Sequence, residues 1–590
     1  MRTYIAHATT KQQKSSFSRI HILSAIFVCL FFIVICRLFI LMIWQHSFYD
    51  ALATGSHERY AELFPVRGNI FISSQISGET FPLALNRDVY LMYADTREIV
   101  DDETSMHIQD TLADMFHYDS ETQEQLFQKL QKRTDPYEPI EQRIDEDQKF
   151  AIEALALPGI HFIRRPERFY PEHRLAAHVL GFVGKNEQGA DIGHYGLEGY
   201  WQDDLAGSGG FLEGARSAKG SWIPLAGRSF SPAQDGVNLT LTLDRTLQHK
   251  TCAILEEYRE AYEAQTASLV IMDPLTGAIQ VMCSFPDFDP NTYNKVDSVS
   301  VYNNTAIFTP YEPGSIFKPI AVAAAINEGI LKPSDVFHDT GSVSDVGCIK
   351  PIKNANLANY GDQTITGILE NSINTGMVYV VKQLGKLLFR DYVERFGFGL
   401  KTGIELDTEI AGTIESLHKN NKDTVDCYTA TASFGQGITA TPLQMASAFS
   451  VLANGGKLMR PYVIASREFQ NKKIEKTQPY VIREVVSKRT AQLVSAMLVR
   501  VIDEGQSSLG HVPGYYLAGK TGTAQIAGPG GYTADTNHSF AGFGPVDNPR
   551  FTVVIKFEKP KRAYASLTSA PVFAKIAQEL IRYYNIAPDY

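Results

Sequence analysis

Apolar residues follow three patterns along the chain, and each predicts a different kind of structure. The first is an almost unbroken run at 20–44. At 1.5 Å of helical rise per residue it reaches about 37 Å, enough to cross a bilayer with some tilt. Residues 1–19 carry Arg2, Lys11, Lys14 and Arg19 and no acid. That basic flank is expected to stay in the cytoplasm, with everything after Trp44 outside. The run is too long for a typical signal core and no small-residue cleavage site closes it, which predicts an uncleaved anchor. Arg37 lies inside it, where a charge either snorkels toward the interface near Trp44 or meets a partner membrane protein.

The second pattern, over 45–234, is short-range and mixed. Residues 85–91 read as a strand leaving a turn, and Ser120 with Gln123 gives a capping-box signal ahead of Leu126, Phe127 and Leu130. A further helix is predicted from Asp145 through Leu155, until Leu157-Pro158-Gly159 breaks it. Arg168-Phe169-Tyr170-Pro171, residues 178–181, Gly196-Leu197-Glu198-Gly199 and Leu205-Ala206-Gly207 read as structural loops pinned by small residues. A polar, Pro-containing link at 231–235 marks a boundary.

Beyond it the pattern becomes regular. Residues 237–243 alternate as a strand, and Asp244 is placed to cap a helix through Leu247 and Leu255. The β-rich runs 267–272 and 278–283 flank Asp273-Pro274-Leu275-Thr276-Gly277 and predict a hairpin. Ala-rich helical stretches follow, then late strands at 516–518, 524–526, 538–543 and 551–557, and an amphipathic helix at 570–584. Early strands, a helical middle and late strands predict an α+β domain whose sheet is built from both ends of its sequence.

Composition narrows the function. With 590 residues, 44% hydrophobic and 20% charged, the chain has room for several folded domains. A net charge of −10 and the lack of a basic stripe argue against broad nucleic-acid binding. Six cysteines, at 29, 36, 252, 283, 348 and 427, include no Cys-x-x-Cys pair. Neither a zinc site nor a disulfide framework is therefore indicated.

Candidate chemistry centres on Tyr311-Glu312-Pro313-Gly314-Ser315-Ile316-Phe317-Lys318. Pro313 and Gly314 set a sharp turn into a helix opened by Ser315, and Lys318 lies one turn on along the same face. An amine beside a hydroxyl can make the serine nucleophilic, although Ser-x-x-Lys alone is expected about twice by chance in a chain this long. Ser372-Ile373-Asn374 can point a proton-relaying hydroxyl and a carbonyl-holding amide into one cleft from a turn. Lys520-Thr521-Gly522-Thr523 reads as a strand edge. There Gly522 admits a substrate backbone, Lys520 and Thr521 meet a carboxylate, and the Thr523 N–H faces a developing oxyanion. Ser433-Phe434-Gly435-Gln436-Gly437-Ile438 with Thr441-Pro442-Leu443-Gln444 reads as a tight turn and a capped helix that pack behind such a site.

Ser-x-x-Lys, Ser-x-Asn and Lys-Thr-Gly stand in that order within one predicted domain, a set shared by penicillin-binding proteins and class A β-lactamases. Here the sequence resembles a class B penicillin-binding protein. Supporting features are Pro65-Val66-Arg67-Gly68-Asn69-Ile70, Met272-Asp273-Pro274 and Phe288-Asp289-Pro290-Asn291. The segments 433–437, Leu452-Ala453-Asn454-Gly455-Gly456 and Ser569-Ala570-Pro571-Val572-Phe573 are most similar to the septal, cell-division transpeptidases. The chain departs from the family pattern at 71–80 and at Ala565 and Ser566.

The resemblance implies a cytoplasmic tail at 1–19, an anchor at 20–44, a pedestal (dimerisation-type) domain at 45–234 and a transpeptidase domain at 235–590. It implies acylation of Ser315 by the D-alanyl-D-alanine end of peptidoglycan stem peptides. Lys318 would be the base, Ser372 the proton relay and Asn374 the acyl-chain ligand, with Lys520 and Thr521 on the carboxylate and Gly522 and Thr523 beside the reacting carbonyl. No cofactor or metal is expected. It further implies β-lactams as inhibitors, a SEDS-type glycosyltransferase and other division proteins as partners, and a bacterial inner-membrane protein with its catalytic domain outside. An elongation role, a D,D-carboxypeptidase or β-lactamase and a non-enzymatic scaffold are the alternatives.

Overall fold

Three patterns in sequence become two units in space. The structure, a computed structural model, describes residues 17–40, 61–63, 65–74, 76–187, 189–213, 229–355, 357–419, 422–529 and 531–590. The units are Met1–Pro65 with Ser208–Gln234, and Val66–Gly207 with Asp235–Tyr590.

In the first unit a helix runs Phe17–Phe39 and exposes large apolar side chains including Leu23, Phe27, Phe31, Ile35 and Phe39. The basic flank at 1–16 and residues 41–44 lie outside the described residues. Among the described residues no helix is long and apolar enough to cross a membrane. The strands Ala61–Leu63, Gly210–Glu213 and Ser229–Ser231 form a small antiparallel sheet in that order.

In the second unit a long strand, Thr80–Ala94, covers the predicted 85–91 and pairs antiparallel with Ile70–Ser73, Glu138–Ile144 and Ile160–Phe169. Helices Asp102–Phe116, Ser120–Leu130 and Glu146–Ala154 bury Ile108, Leu112, Leu126, Leu130 and Ile152 against Met92 and Ile144. The cap of the middle helix is Asp119, not Ser120. Its carboxylate accepts the Thr122 N–H at 2.8 Å, and a negative charge there also complements the helix dipole. Asp145 caps the next helix in a full capping box with Gln148. Of the predicted loops, 168–169 end a strand, while Ala177–Leu180, Gly196–Tyr200 and Gln202–Ala206 are short helices.

The sequence pieces on either side of the first unit share a sheet. Asn238–Asp244 pairs parallel with Ile70–Ser73 (Leu239 opposite Ile70) and antiparallel with Ile464–Glu468 (Leu239 opposite Arg467). Nearby, Arg67 and Arg168 both clamp the fully buried Glu198, each at 2.6 Å, and the Tyr170 hydroxyl donates to the same carboxylate at 3.3 Å. Burial alone would push the Glu198 carboxyl up, but the two guanidiniums hold it below the usual value.

The sheet of the C-terminal domain has five strands in the order Ile279–Phe285, Thr266–Met272, Phe551–Glu558, Gly531–Gly544, Ala518–Gly528, all antiparallel. It is built from both ends of the domain's sequence. The expected run 524–526 lies within one long strand, Ala518–Gly528, which carries Lys520 to Thr523 along the sheet edge; of the expected run 516–518 only Ala518 is in a strand. On one face Arg245–Ala261 and Ser569–Tyr583 pack through Leu247, Leu255, Phe573, Ile576 and Leu580. On the other, helices Lys318–Asn327, Asn374–Leu384 and Pro442–Ala453 form the larger core.

The cysteine expectation is corrected. Cys252–Cys283 ties the helix Arg245–Ala261 to a sheet strand, and Cys348–Cys427 ties a loop to the start of the helix Cys427–Ala432. The partners are 31 and 79 residues apart in sequence. Tertiary packing brings them together, so local spacing holds no trace of the pairing.

Candidate active site

The Pro-Gly turn before Ser315 does what its residues dictate, with one difference. Gly314–Phe317 is a single 3-10 turn, and the α-helix begins at Lys318, with Pro319 in its first turn where no N–H is needed. Ser315 and Lys318 thus sit one turn apart, with Ser315 half-buried and Lys318 fully buried. Gly314 has φ +59°, and its N–H donates to the Gly435 carbonyl at 3.0 Å. A Cβ on Gly435 would lie 2.2 Å from the Gly314 carbonyl oxygen, so the segment 433–437 packs directly against the serine turn. Glu312 locks the same contact by accepting the Gly437 N–H at 2.9 Å and the Tyr532 hydroxyl at 2.9 Å.

The Lys318 amine is held by the second motif. Its Nζ lies 2.6 Å from the Ser372 carbonyl oxygen, 3.1 Å from Ser372 Oγ and 2.9 Å from Asn374 Oδ1. Ser372 occupies the turn between Ile365–Glu370 and Asn374–Leu384 at φ +55°, a conformation costly for a non-glycine residue and commonest where function demands it. Asn374 Nδ2 donates to the Lys353 carbonyl at 3.1 Å.

Lys520 is equally buried. Burial lowers the Lys520 amine to about 7. Burial first, and the charge of Lys520 second, push the Lys318 amine well below the ordinary lysine value. The strand that carries Lys520 lies at the end of the sheet order, with no further strand among the described residues paired to its outer edge. At Gly522 a Cβ would meet the Pro313 carbonyl oxygen and Ser539 Oγ, both at 2.8 Å. Thr523 Oγ1 accepts the Ala565 N–H at 3.0 Å, and Thr521 packs against Ser507. The eight predicted residues therefore lie on three short segments, 315–318, 372–374 and 520–523, grouped around Lys318 and the serine turn.

The network beneath the second motif was not anticipated. Buried Asp339 accepts from Thr375 Oγ1 at 2.6 Å, Asn354 Nδ2 at 2.8 Å and the Tyr360 and Gly341 N–H groups, and Asn354 Oδ1 accepts the Thr375 N–H at 3.2 Å. Burial alone would raise the Asp339 carboxyl, yet these donors hold it below its ordinary value. The network fixes Thr375, the neighbour of Asn374, from a loop about 20–35 residues upstream, a distance over which sequence spacing predicts nothing. Among the described residues no group of His, Cys, Asp or Glu is arranged to hold a metal ion.

Residues 267–578 match the family described as the penicillin binding protein transpeptidase domain, and residues 63–241 match the penicillin-binding protein dimerisation domain. The chain belongs to the class B penicillin-binding proteins. Stage V sporulation protein D of Bacillus subtilis is 32% identical over 550 residues, covering 91% of this penicillin-binding protein and 81% of the relative. The peptidoglycan D,D-transpeptidase FtsI of Escherichia coli K12 is 29% identical over 455 residues, covering 76% and 73%. The crystal structure of penicillin binding protein 3 from Mycobacterium tuberculosis, complexed with aztreonam, aligns over 90% of this chain and 98% of that one, with a TM-score of 0.67 and 25% identity. This penicillin-binding protein is a peptidoglycan D,D-transpeptidase, an enzyme of the acyl-serine type.

Proposed function

We propose that this transpeptidase acts at the outer face of the bacterial inner membrane, in septal wall synthesis. Its tail would be 1–19, its single-pass anchor 20–44, its pedestal 45–234 and its catalytic domain 235–590. The length and apolarity of 20–44 and the basic flank support the anchor. The motifs at 433–437, 452–456 and 569–573 support the division role, with a SEDS-type glycosyltransferase and other division proteins as partners and Arg37 as one contact within the membrane.

Ser315 is the acylated nucleophile. The observation that carries this is the buried Lys318 amine, held 2.9 Å from Asn374 Oδ1 and 3.1 Å from Ser372 Oγ, while burial first and the Lys520 charge second depress its pKa. A neutral Lys318 takes the Ser315 proton as the oxygen attacks the carbonyl between the two D-alanines. The Ser315 and Thr523 N–H groups receive the oxyanion. Ser372, beside Lys318, passes a proton to the departing D-alanine, and Asn374 orients the acyl chain. Lys520 and Thr521 bind the terminal carboxylate, with Gly522 keeping strand and serine turn in contact. An amine from a second stem peptide then resolves the acyl-enzyme and forms the cross-link. β-Lactams enter by the same route and stop at the acyl stage.

Incubation with purified muropeptides tests the reaction. Cross-linked dimers are expected, and trimmed monomers alone would instead assign a carboxypeptidase. The name of the Bacillus relative favours a second reading, a role in sporulation. Depletion separates the two, since a septal enzyme leaves filamenting cells during growth.

A further inference from the structure

The helix Lys488–Asp503 ends in a turn, Gly505 to Ser507, that touches both walls of the site. On one side the Gln506 N–H donates to the Glu370 carbonyl at 3.0 Å, and Gln506 Nε2 donates to the Asn371 carbonyl at 2.9 Å. Those two residues immediately precede Ser372. Arg500, on the same helix, adds an ion pair to the Glu370 carboxylate. On the other side, fully buried Ser507 accepts the Thr521 N–H at 3.1 Å through Oγ, and the same Oγ lies 3.2 Å from Thr521 Oγ1.

We infer that Ser507 is a positioning residue that sets the polarity of the Thr521 hydroxyl, so that this hydroxyl donates to the substrate's terminal carboxylate. The inference rests on the proposed role of Thr521. A hydroxyl has one proton to give and two lone pairs. Ser507 Oγ already receives the Thr521 N–H, so its own proton is available, and the acceptor within reach is Thr521 Oγ1. Once Thr521 accepts there, its remaining proton is free for an anion, and a hydroxyl donating to a carboxylate makes a strong charge-assisted bond. Reversed polarity would spend the Thr521 proton on Ser507 and leave the carboxylate facing a lone pair. Gln506 contributes from the opposite side by holding the Ser507 turn at a fixed distance from Ser372. The carboxylate end of the cleft is thereby tied to the proton-relay wall, through a segment that carries none of the three motifs.

The test compares acylation by a fluorescent penicillin with acylation by its methyl ester, in the wild type, Ser507→Ala and Thr521→Ala. The readout is the preference for free acid over ester, which a general loss of packing would not move. That preference is expected to fall roughly tenfold in Ser507→Ala, to fall at least as far in Thr521→Ala, and to return in Ser507→Thr. Ser507→Cys, with a weaker donor in nearly the same shape, should lie between and serves if the alanine variant melts early. A wild-type preference that Thr521→Ala destroys and Ser507→Ala leaves intact overturns the inference while sparing the role of Thr521. Equal loss of acid and ester labelling in Ser507→Ala overturns it too. No labelling of wild-type Ser315 by either compound removes the functional reading, and this inference with it.

Discussion

Glu198 and Lys318 are both fully buried, yet Glu198 sits between two guanidiniums and Lys318 lies close to a second lysine. In the first cluster opposite charges at 2.6 Å repay desolvation and keep the carboxylate ionised. In the second, burial and like charge act together and drive the amine toward its neutral form. One arrangement holds a structure in place. The other spends stability to favour an unprotonated amine, the form that the proposed base requires, as buried groups at reactive sites commonly do.

The largest effect that would break this comparison comes from the reactive side. Ser315→Ala should abolish labelling by a fluorescent penicillin, and Lys318→Met should slow acylation roughly 10³-fold. In both, the melting temperature should be unchanged or higher; a collapse of the fold would put Lys318 in the same class as Glu198. Next is the mirror experiment. Glu198→Ala strands two buried guanidiniums and should cost about 3–5 kcal/mol in urea unfolding, while the folded fraction acylates at the wild-type rate. A slowed rate per folded molecule would contradict a purely structural role.

Lys520→Met sharpens the contrast through pH. The folded pKa of Lys520 is about 7 against 10.5 for the ordinary group, so between those values the unfolded chain binds the extra proton and wild-type stability rises with pH. The methionine variant should therefore gain about 1–2 kcal/mol, fully below pH 7, with the gain fading toward pH 10.5. A gain that grew with pH would reverse the assignment. Asp339→Asn replaces one acceptor by a donor among four donors. It should cost about 1–3 kcal/mol and slow acylation a few-fold by loosening Thr375 and Asn374, read from thermal melts beside labelling rates.

Much of this was legible in the sequence, for a physical reason. Elements with strong local signals, such as the hairpin around Asp273-Pro274-Leu275-Thr276-Gly277, the Asp145 and Thr441 caps and the last helix, depend on residues a few positions apart. The three motifs were readable because each is short and their order is informative. Less legible was whatever the fold assembles from afar. The two disulfides span 31 and 79 residues, Asp339 reaches Thr375 across 36, and Ser507 meets Thr521 across 14. Glu198, read as part of a glycine-pinned loop, is a helical residue whose partners come from 131 and 30 positions away. Gly522 was read for substrate access; that a side chain there would also meet the Pro313 carbonyl and Ser539 Oγ, both at 2.8 Å, is a further constraint that local sequence does not show.

The most direct test of a neutral Lys318 is the pH dependence of the second-order rate of Ser315 acylation by a fluorescent penicillin. The account predicts a bell displaced well below the range of an ordinary lysine: the rate is lost on acidification as Lys318 takes up its proton, and falls on an alkaline limb as Lys520, lowered to about 7, gives up the charge that binds the carboxylate. A rate that climbs without a break to about pH 10, the range of an ordinary exposed lysine, would contradict it.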